Sequence, residues 1–168
     1  MLSFDLRSLE SSAARVDGQL LDVDPVWETG DARPQGPIHV AGRLSRAGTG
    51  KFYFSGRIAG TAGASCRRCL ADVVTQVDEE IHLLFVDQAS AEAEEPDVYV
   101  IDARARELDL RPALREEWLL ALPAFPLCAE SCAGLCPRCG ANRNEVACSC
   151  QAAPDPRWGA LSQLREQL

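Results

Sequence analysis

Ile38-His39-Val40-Ala41-Gly42-Arg43-Leu44-Ser45-Arg46-Ala47-Gly48-Thr49-Gly50-Lys51-Phe52-Tyr53-Phe54-Ser55-Gly56-Arg57-Ile58 contains two alternating segments around a glycine-rich turn. In the first, Ile38, Val40 and Leu44 fall on one side and His39, Arg43 and Ser45 on the other. In the second, Phe52, Phe54 and Ile58 alternate with Lys51, Tyr53 and Arg57. A period of two with one apolar face marks a half-buried strand. Ala47-Gly48-Thr49-Gly50 supplies the reversal, because glycine accepts the positive φ that hairpin turns need. The stretch therefore predicts a hairpin with an apolar core face and a basic outer face.

Further strands follow. Thr61 to Ser65 reads as a third, running into Cys66. A longer one over Val73–Val86 puts Val73, Val77, Ile81, Leu83 and Phe85 on one face. Ala89 to Asp97 is acidic and alanine-rich, the composition of a mobile loop, and Val98–Ile101 is a short strand. Asp109 has the position of an N-cap for a helix over Leu110–Leu122, stopped by Pro123, with Leu110, Leu114, Trp118 and Ala121 at helical spacing. From Phe125 to Cys150 the chain is too rich in Cys, Pro, Gly and Asn for regular structure. Asp155-Pro156 opens a closing helix whose apolar side is Trp158, Leu161, Leu164 and Leu168. This order predicts an α+β fold: an antiparallel sheet or partial barrel with one packed helix, a Cys-rich zinc-binding segment and a terminal helix. At 168 residues and 18.2 kDa the chain is read as one domain. Within it, 1–88 is mainly β, 89–97 the acidic loop, 98–122 strand and helix, 123–150 the zinc segment and 151–168 the tail helix.

The formal net charge of -8 conceals segregation. Residues 33–71 contain no acid but seven bases: Arg33, Arg43, Arg46, Lys51, Arg57, Arg67 and Arg68. Residues 72–97 contain nine acids and no Lys or Arg. The average is thus a poor guide to the surface a partner meets. The longest apolar run, Trp118 to Phe125, is too short to span a bilayer, and Met1-Leu2-Ser3-Phe4-Asp5 lacks the features of a signal peptide. The expectation is a cytoplasmic protein with no membrane partner, in which clustered cysteines hold metal rather than disulfides.

The cysteines form four close pairs: Cys66-x2-Cys69, Cys128-x3-Cys132, Cys136-x2-Cys139 and Cys148-x-Cys150. Eight thiols so spaced predict two tetrahedral sites, and zinc suits them as a redox-inert ion that is four-coordinate with thiolates. The expected ligands are Cys66, Cys69, Cys128 and Cys132 in one site and Cys136, Cys139, Cys148 and Cys150 in the other. The single residue between Cys148 and Cys150 is tight for a chelate, so Cys132 is the alternative ligand there. Cys132-x3-Cys136-x2-Cys139 also has the spacing of a radical S-adenosylmethionine cluster site, but that chemistry needs a following α/β barrel that this chain has no room for.

Cys66-Arg67-Arg68-Cys69-Leu70, then Leu119–Pro126, then Leu127-Cys128-x3-Cys132-x-Gly134-Leu135-Cys136-Pro137-x-Cys139-Gly140-x-Asn142-x-Asn144-x3-Cys148-x-Cys150 form a pattern similar to the bacterial YceD family. Asp155-Pro156-Arg157-Trp158-x-Ala160-Leu161 extends the resemblance. Arg143 stands where that family usually has leucine. The resemblance implies a role in the accumulation of large-subunit ribosomal RNA, through its processing or stability during ribosome assembly. It brings no catalytic residue.

Three kinds of function are compatible with this sequence. The first is an RNA-binding assembly factor using Arg43, Arg46, Lys51, Tyr53, Arg57, Arg67 and Arg68, whose cations suit phosphates and whose tyrosine suits an unpaired base. Its partner would be large-subunit rRNA or its precursor. The second is a protein-interaction module, with the acidic residues 72–97 engaging a basic large-subunit ribosomal protein. The third is an enzyme. Asp78-Glu79-Glu80 is the nearest set of carboxylates, but strand alternation separates neighbours, and His39 and His82 are isolated. The expectation is a protein that is not an enzyme and takes no small-molecule substrate.

Overall fold

A computed structural model describes residues 1–150 and Arg157. The elements in chain order are β1 (Ser3–Asp5), α1 (Leu6–Ser11), β2 (Ala14–Leu20), β3 (Ile38–Gly48), β4 (Lys51–Ser65) and β5 (Asp72–Asp87). A 3₁₀ turn (Ala91–Glu94), β6 (Val98–Ile101), β7 (Glu107–Asp109) and α2 (Arg111–Ala121) follow. The predicted tail helix, with Trp158, Leu161, Leu164 and Leu168, lies outside the described residues.

The hairpin β3–β4 is the centre of a five-stranded sheet ordered β2-β3-β4-β5-β6. Leu44 pairs with Phe54 and Val40 with Ile58, so the apolar residues of both strands share one face, all of them buried. The separate third strand is a correction: Thr61–Ser65 simply continues β4, because Gly60 and Gly63 pair with Val77 and Val74 without a break. β5 then returns along the whole of β4, with Val77, Ile81, Leu83 and Phe85 buried and Val73 partly so.

The sheet is antiparallel except at one edge, where β6 runs parallel to β5, Leu84 against Val98 and Asp87 against Ile101. The connection 88–97 makes this possible by carrying the chain back from Asp87 to Val98, opposite Leu84. Within the acidic segment Ala89–Asp97, read from sequence as a mobile loop, Ser90–Glu95 contains the 3₁₀ turn, and Glu92 forms an ion pair with Lys51 of β4. That ammonium, with the Ser90 hydroxyl, holds the Glu92 carboxyl down at about 2.

A second, two-stranded sheet pairs β1 with β7, Phe4 opposite Leu108. It seats the start of α2, since Leu110 N–H donates to the Leu2 carbonyl at 2.9 Å. The Asp109 carboxylate accepts from Arg111 N–H at 3.0 Å, as a capping side chain would, although Leu110 occupies the formal cap position. Leu110, Leu114 and Trp118 then lie fully buried against the sheet. Arg115 of α2 grips Asp31 through two bonds of 2.6 and 2.9 Å, which fixes the long segment between β2 and β3.

One close approach within the sheet depends on glycine. Gly42 and Gly56 are directly paired, and the Phe54 ring lies over both on the core side. A Cβ on Gly56 would come within 2.5 Å of Phe54 Cζ and of the Ala41 carbonyl oxygen. Gly56→Ala is therefore expected to cost about 1–3 kcal/mol by overpacking, measured by equilibrium denaturation; an unchanged midpoint would contradict this packing.

Candidate metal centre

Both knuckles are built by one backbone pattern. In the first, Cys66 N–H donates to the Ala71 carbonyl at 2.7 Å and Leu70 N–H to the Cys66 carbonyl at 2.9 Å. In the second, Cys136 N–H donates to Ala141 at 2.8 Å and Gly140 N–H to Cys136 at 2.9 Å. The residue after each Cys-x2-Cys adopts positive φ: 72° at Gly140 and 61° at Leu70. The first knuckle extends directly from β4, and Arg67 N–H reaches the Pro126 carbonyl at 2.8 Å, which lays the tail beside it. Arg68 then donates from Nη1 to the carbonyls of Glu130 and Cys132 at 3.1 and 3.0 Å.

These contacts bring the sulfurs of Cys66, Cys69, Cys128 and Cys132 within 4.8 Å of one another, and likewise those of Cys136, Cys139, Cys148 and Cys150. Cys132 lies with the first group, its sulfur 3.8 Å from that of Cys66, while Cys69 and Cys128 are 3.6 Å apart. Thiolates about 2.3 Å from a central ion sit roughly 3.8 Å apart along each edge of a tetrahedron. The spacing thus fits a four-sulfur metal site, and each of the eight cysteines is free of a disulfide.

The acidities of the thiols point the same way. At Cys66 burial opposes ionisation, yet hydrogen bonds from the backbone of Cys128, Cys69 and Arg68 bring the thiol to about 6. The Cys139 and Arg138 backbones bring Cys136 to about 6 as well. Cys128, crowded by Cys132 and Cys69, is pushed up to about 12, and Cys150, crowded by Cys139 and Cys136, also to about 12. Each quartet carries negative charge in some members and refuses it in others. A bound dication would let all four ionise.

The structure treats the seven candidate RNA contacts unequally. Arg46 pairs with Glu10 at 3.1 Å, Lys51 with Glu92 and Arg57 with Asp78. Arg68 is committed to the two tail carbonyls. Arg43 is exposed beside Arg15 of β2 and has no ion pair among the described residues. Arg67 sits 3.8 Å above the ring of Phe125, which is 64% exposed. Tyr53 gains a companion that one-dimensional reading missed: His82, stacked on it at 6.0 Å with Nδ1 3.0 Å from the hydroxyl. Only the β4–β5 register, which sets Ser55 opposite His82, reveals this neighbour. Asp78 and Glu80 share a face, while Glu79 falls opposite Ile58 on the other side, so the three carboxylates do not converge.

A mostly antiparallel sheet whose central strand β4 runs into a thiolate knuckle, followed by an irregular tail with a second four-sulfur group, defines a class of small α+β proteins with two candidate metal centres. A family described as "Large ribosomal RNA subunit accumulation protein YceD" matches residues 54–165, and the chain belongs to that family. Uncharacterized proteins of Mycobacterium tuberculosis and Mycobacterium bovis are 27% identical to it over 165 residues, 96% of this chain and 73% of theirs. The chloroplastic Large ribosomal RNA subunit accumulation protein YCED homolog 1 of Arabidopsis thaliana is 34% identical over 64 residues, 38% of this chain and 20% of that protein. No solved structure matches the chain significantly. Among the described residues, no helix is long and apolar enough to cross a membrane.

Proposed function

We propose that this protein is a non-enzymatic, zinc-stabilised cytoplasmic factor that promotes accumulation and processing of large-subunit rRNA during ribosome assembly by contacting RNA directly. Membership of the accumulation family is the observation that carries this reading. Zinc is held by Cys66, Cys69, Cys128 and Cys132 and by Cys136, Cys139, Cys148 and Cys150. The soft sulfur sets favour it, and it orders the tail without chemistry of its own. RNA meets the cations that the fold leaves available, Arg43 and Arg67, with Tyr53–His82 and Phe125 as surfaces on which unpaired bases stack.

Binding of single-stranded rRNA fragments by the zinc-loaded chain tests this. Affinity is expected to fall with salt at a log–log slope of about -0.7 for each phosphate neutralised. Arg43→Ala and Arg67→Ala should each lessen the slope by about that amount. Arg57→Ala should lessen it little, because Asp78 already neutralises Arg57. A slope near zero, or no binding, overturns direct contact.

The internal pairing of Arg46, Lys51 and Arg57 favours a second reading, in which the acidic residues 72–97 dock a basic large-subunit ribosomal protein. Co-purification that survives nuclease treatment, with no RNA cross-links in 33–69, would select it.

A further inference from the structure

Six of the eight quartet cysteines, Cys128 to Cys150, lie in one stretch of chain, and within it the side chain of Asn144 joins the two quartets outside the backbone. Asn144 belongs to the loop between Cys139 and Cys148, both members of the second quartet. Its Nδ2 donates to the sulfur of Cys132, in the first quartet, at 3.3 Å. Its Oδ1 accepts from Ala133 N–H at 2.7 Å, and that donor fixes which way round the carboxamide lies. The second Nδ2 hydrogen is used by Asn142 Oδ1 at 2.8 Å. Although Asn144 lies at the surface, every polar group of its side chain has a partner within the tail.

We infer that Asn144 makes the two quartets one linked metal unit: closure of the second site sets its carboxamide, and that carboxamide holds the Cys132 sulfur of the first. The inference rests on the metal reading of the quartets. A thiolate bound to a metal in a half-dry site keeps excess negative charge, and an N–H donor stabilises it and fixes the sulfur's direction.

The loop that carries Asn144 is tethered at both ends by the second quartet. With that quartet empty, the loop regains the entropy that closure had removed, and the donor is no longer held in place. The linker 133–135 adds backbone to the connection. Leu135 N–H bonds to the Arg68 carbonyl at 3.0 Å on the first-knuckle side, and Arg143 N–H bonds to Gly134 at 2.9 Å on the second-loop side. Gly134, at φ 71°, passes so close to Arg68 that a Cβ would lie 3.0 Å from its carbonyl oxygen. By linkage, filling the first site must favour the second by the same factor.

Native mass spectrometry of the full chain, titrated with substoichiometric Zn²⁺, reads the linkage directly. Chains with no ion and chains with two are expected to dominate, with few carrying one. Asn144→Asp keeps the acceptor for Ala133 N–H but turns donation to sulfur into repulsion. It is expected to let one-ion chains accumulate and to weaken the first site about 10- to 100-fold. Asn144→Leu, which lacks both functions, should do the same. One-ion chains at the statistical share in the unaltered protein, or a distribution untouched by Asn144→Asp, would overturn the inference. A chain that binds no zinc overturns the metal reading itself, whereas two ions bound independently overturn only the linkage. If a variant's tail fails to order, the distribution in the unaltered chain still decides.

Discussion

Exhaustive chelation is expected to abolish amide-exchange protection across 125–150 and the knuckle 66–70 while leaving β2 to β5 protected. The two regions are held by different things. The sheet and α2 share one apolar core, from Leu2 through Phe54 and Ile81 to Trp118, and among the described residues none of 123–150 contributes to it. Among the described residues, the tail has no comparable core. Its buried cluster is Cys66, Cys69 and Cys132, with Val73 and Leu135 packed against it among the described residues. Phe125, Leu127 and Val146 are exposed. Apart from the bridge between Leu135 and Asn142, the segment 123–150 has no strand or helix to supply cooperative hydrogen bonds. Structural zinc sites contribute on the order of 10 kcal/mol, comparable to the whole stability of a domain. Removing the ions leaves two quartets of thiols that cannot all ionise together, and only scattered hydrogen bonds to offset the chain entropy of the tail. Unchanged protection of 125–150 in metal-free protein would show that the tail is ordered by its own packing. Loss of protection in β3 and β4 as well would show that the sheet depends on it.

What the sequence disclosed, and what it withheld, follows from the range of each signal. The hairpin was legible because alternation in Ile38–Ile58 and the glycines of its turn are local. The grouping of thiols was legible because two-residue spacing converges sulfurs whatever surrounds them. The parallel edge strand was not, since Val98–Ile101 alternates alike in either direction and only the course of 88–97 sets its sense. The β1–β7 pairing joins residues about a hundred positions apart with three residues a side, too little for a periodic pattern. Leu70 shows a subtler limit: a leucine gives no hint of the left-handed backbone that Gly140 advertises at the matching place. The basic face shows the largest. Six cations and Tyr53 read as one surface, but ion pairing depends on register and on the returning acidic loop, which place Asp78 beside Arg57 and Glu92 beside Lys51. Charge segregation along the chain became charge neutralisation across the sheet.

Trp118→Ala is expected to destabilise the protein by about 3–5 kcal/mol, the largest effect of any single core truncation. Trp118 heads the fully buried side chains by volume and is 0% exposed. Its ring lies over β4 at Gly60, where a Cβ would meet Cζ3 at 3.0 Å, with Ile38 alongside. Its Nε1–H also donates to the Ala32 carbonyl at 2.9 Å, so one side chain ties α2, the central hairpin and the segment before β3 together. Two contributions are separable. Trp118→Phe keeps most of the apolar contact but leaves the Ala32 carbonyl without its donor, for about 1–3 kcal/mol plus a smaller void. Trp118→Ala adds the loss of the ring and a cavity that the rigid sheet has little freedom to close. Denaturant titration of the zinc-loaded chain should therefore rank Trp118→Ala well below Trp118→Phe, and both below the unaltered protein. A loss under 1 kcal/mol in Trp118→Ala would mean that α2 is anchored elsewhere, by Leu110 and Leu114 in the core and by the Arg115–Asp31 clasp. That clasp ties α2 only to the segment before β3, whereas Trp118 reaches the sheet itself. Because the tail leaves the end of α2 for the first knuckle, the same ring also fixes where the chain bearing Cys128 and Cys132 sets out.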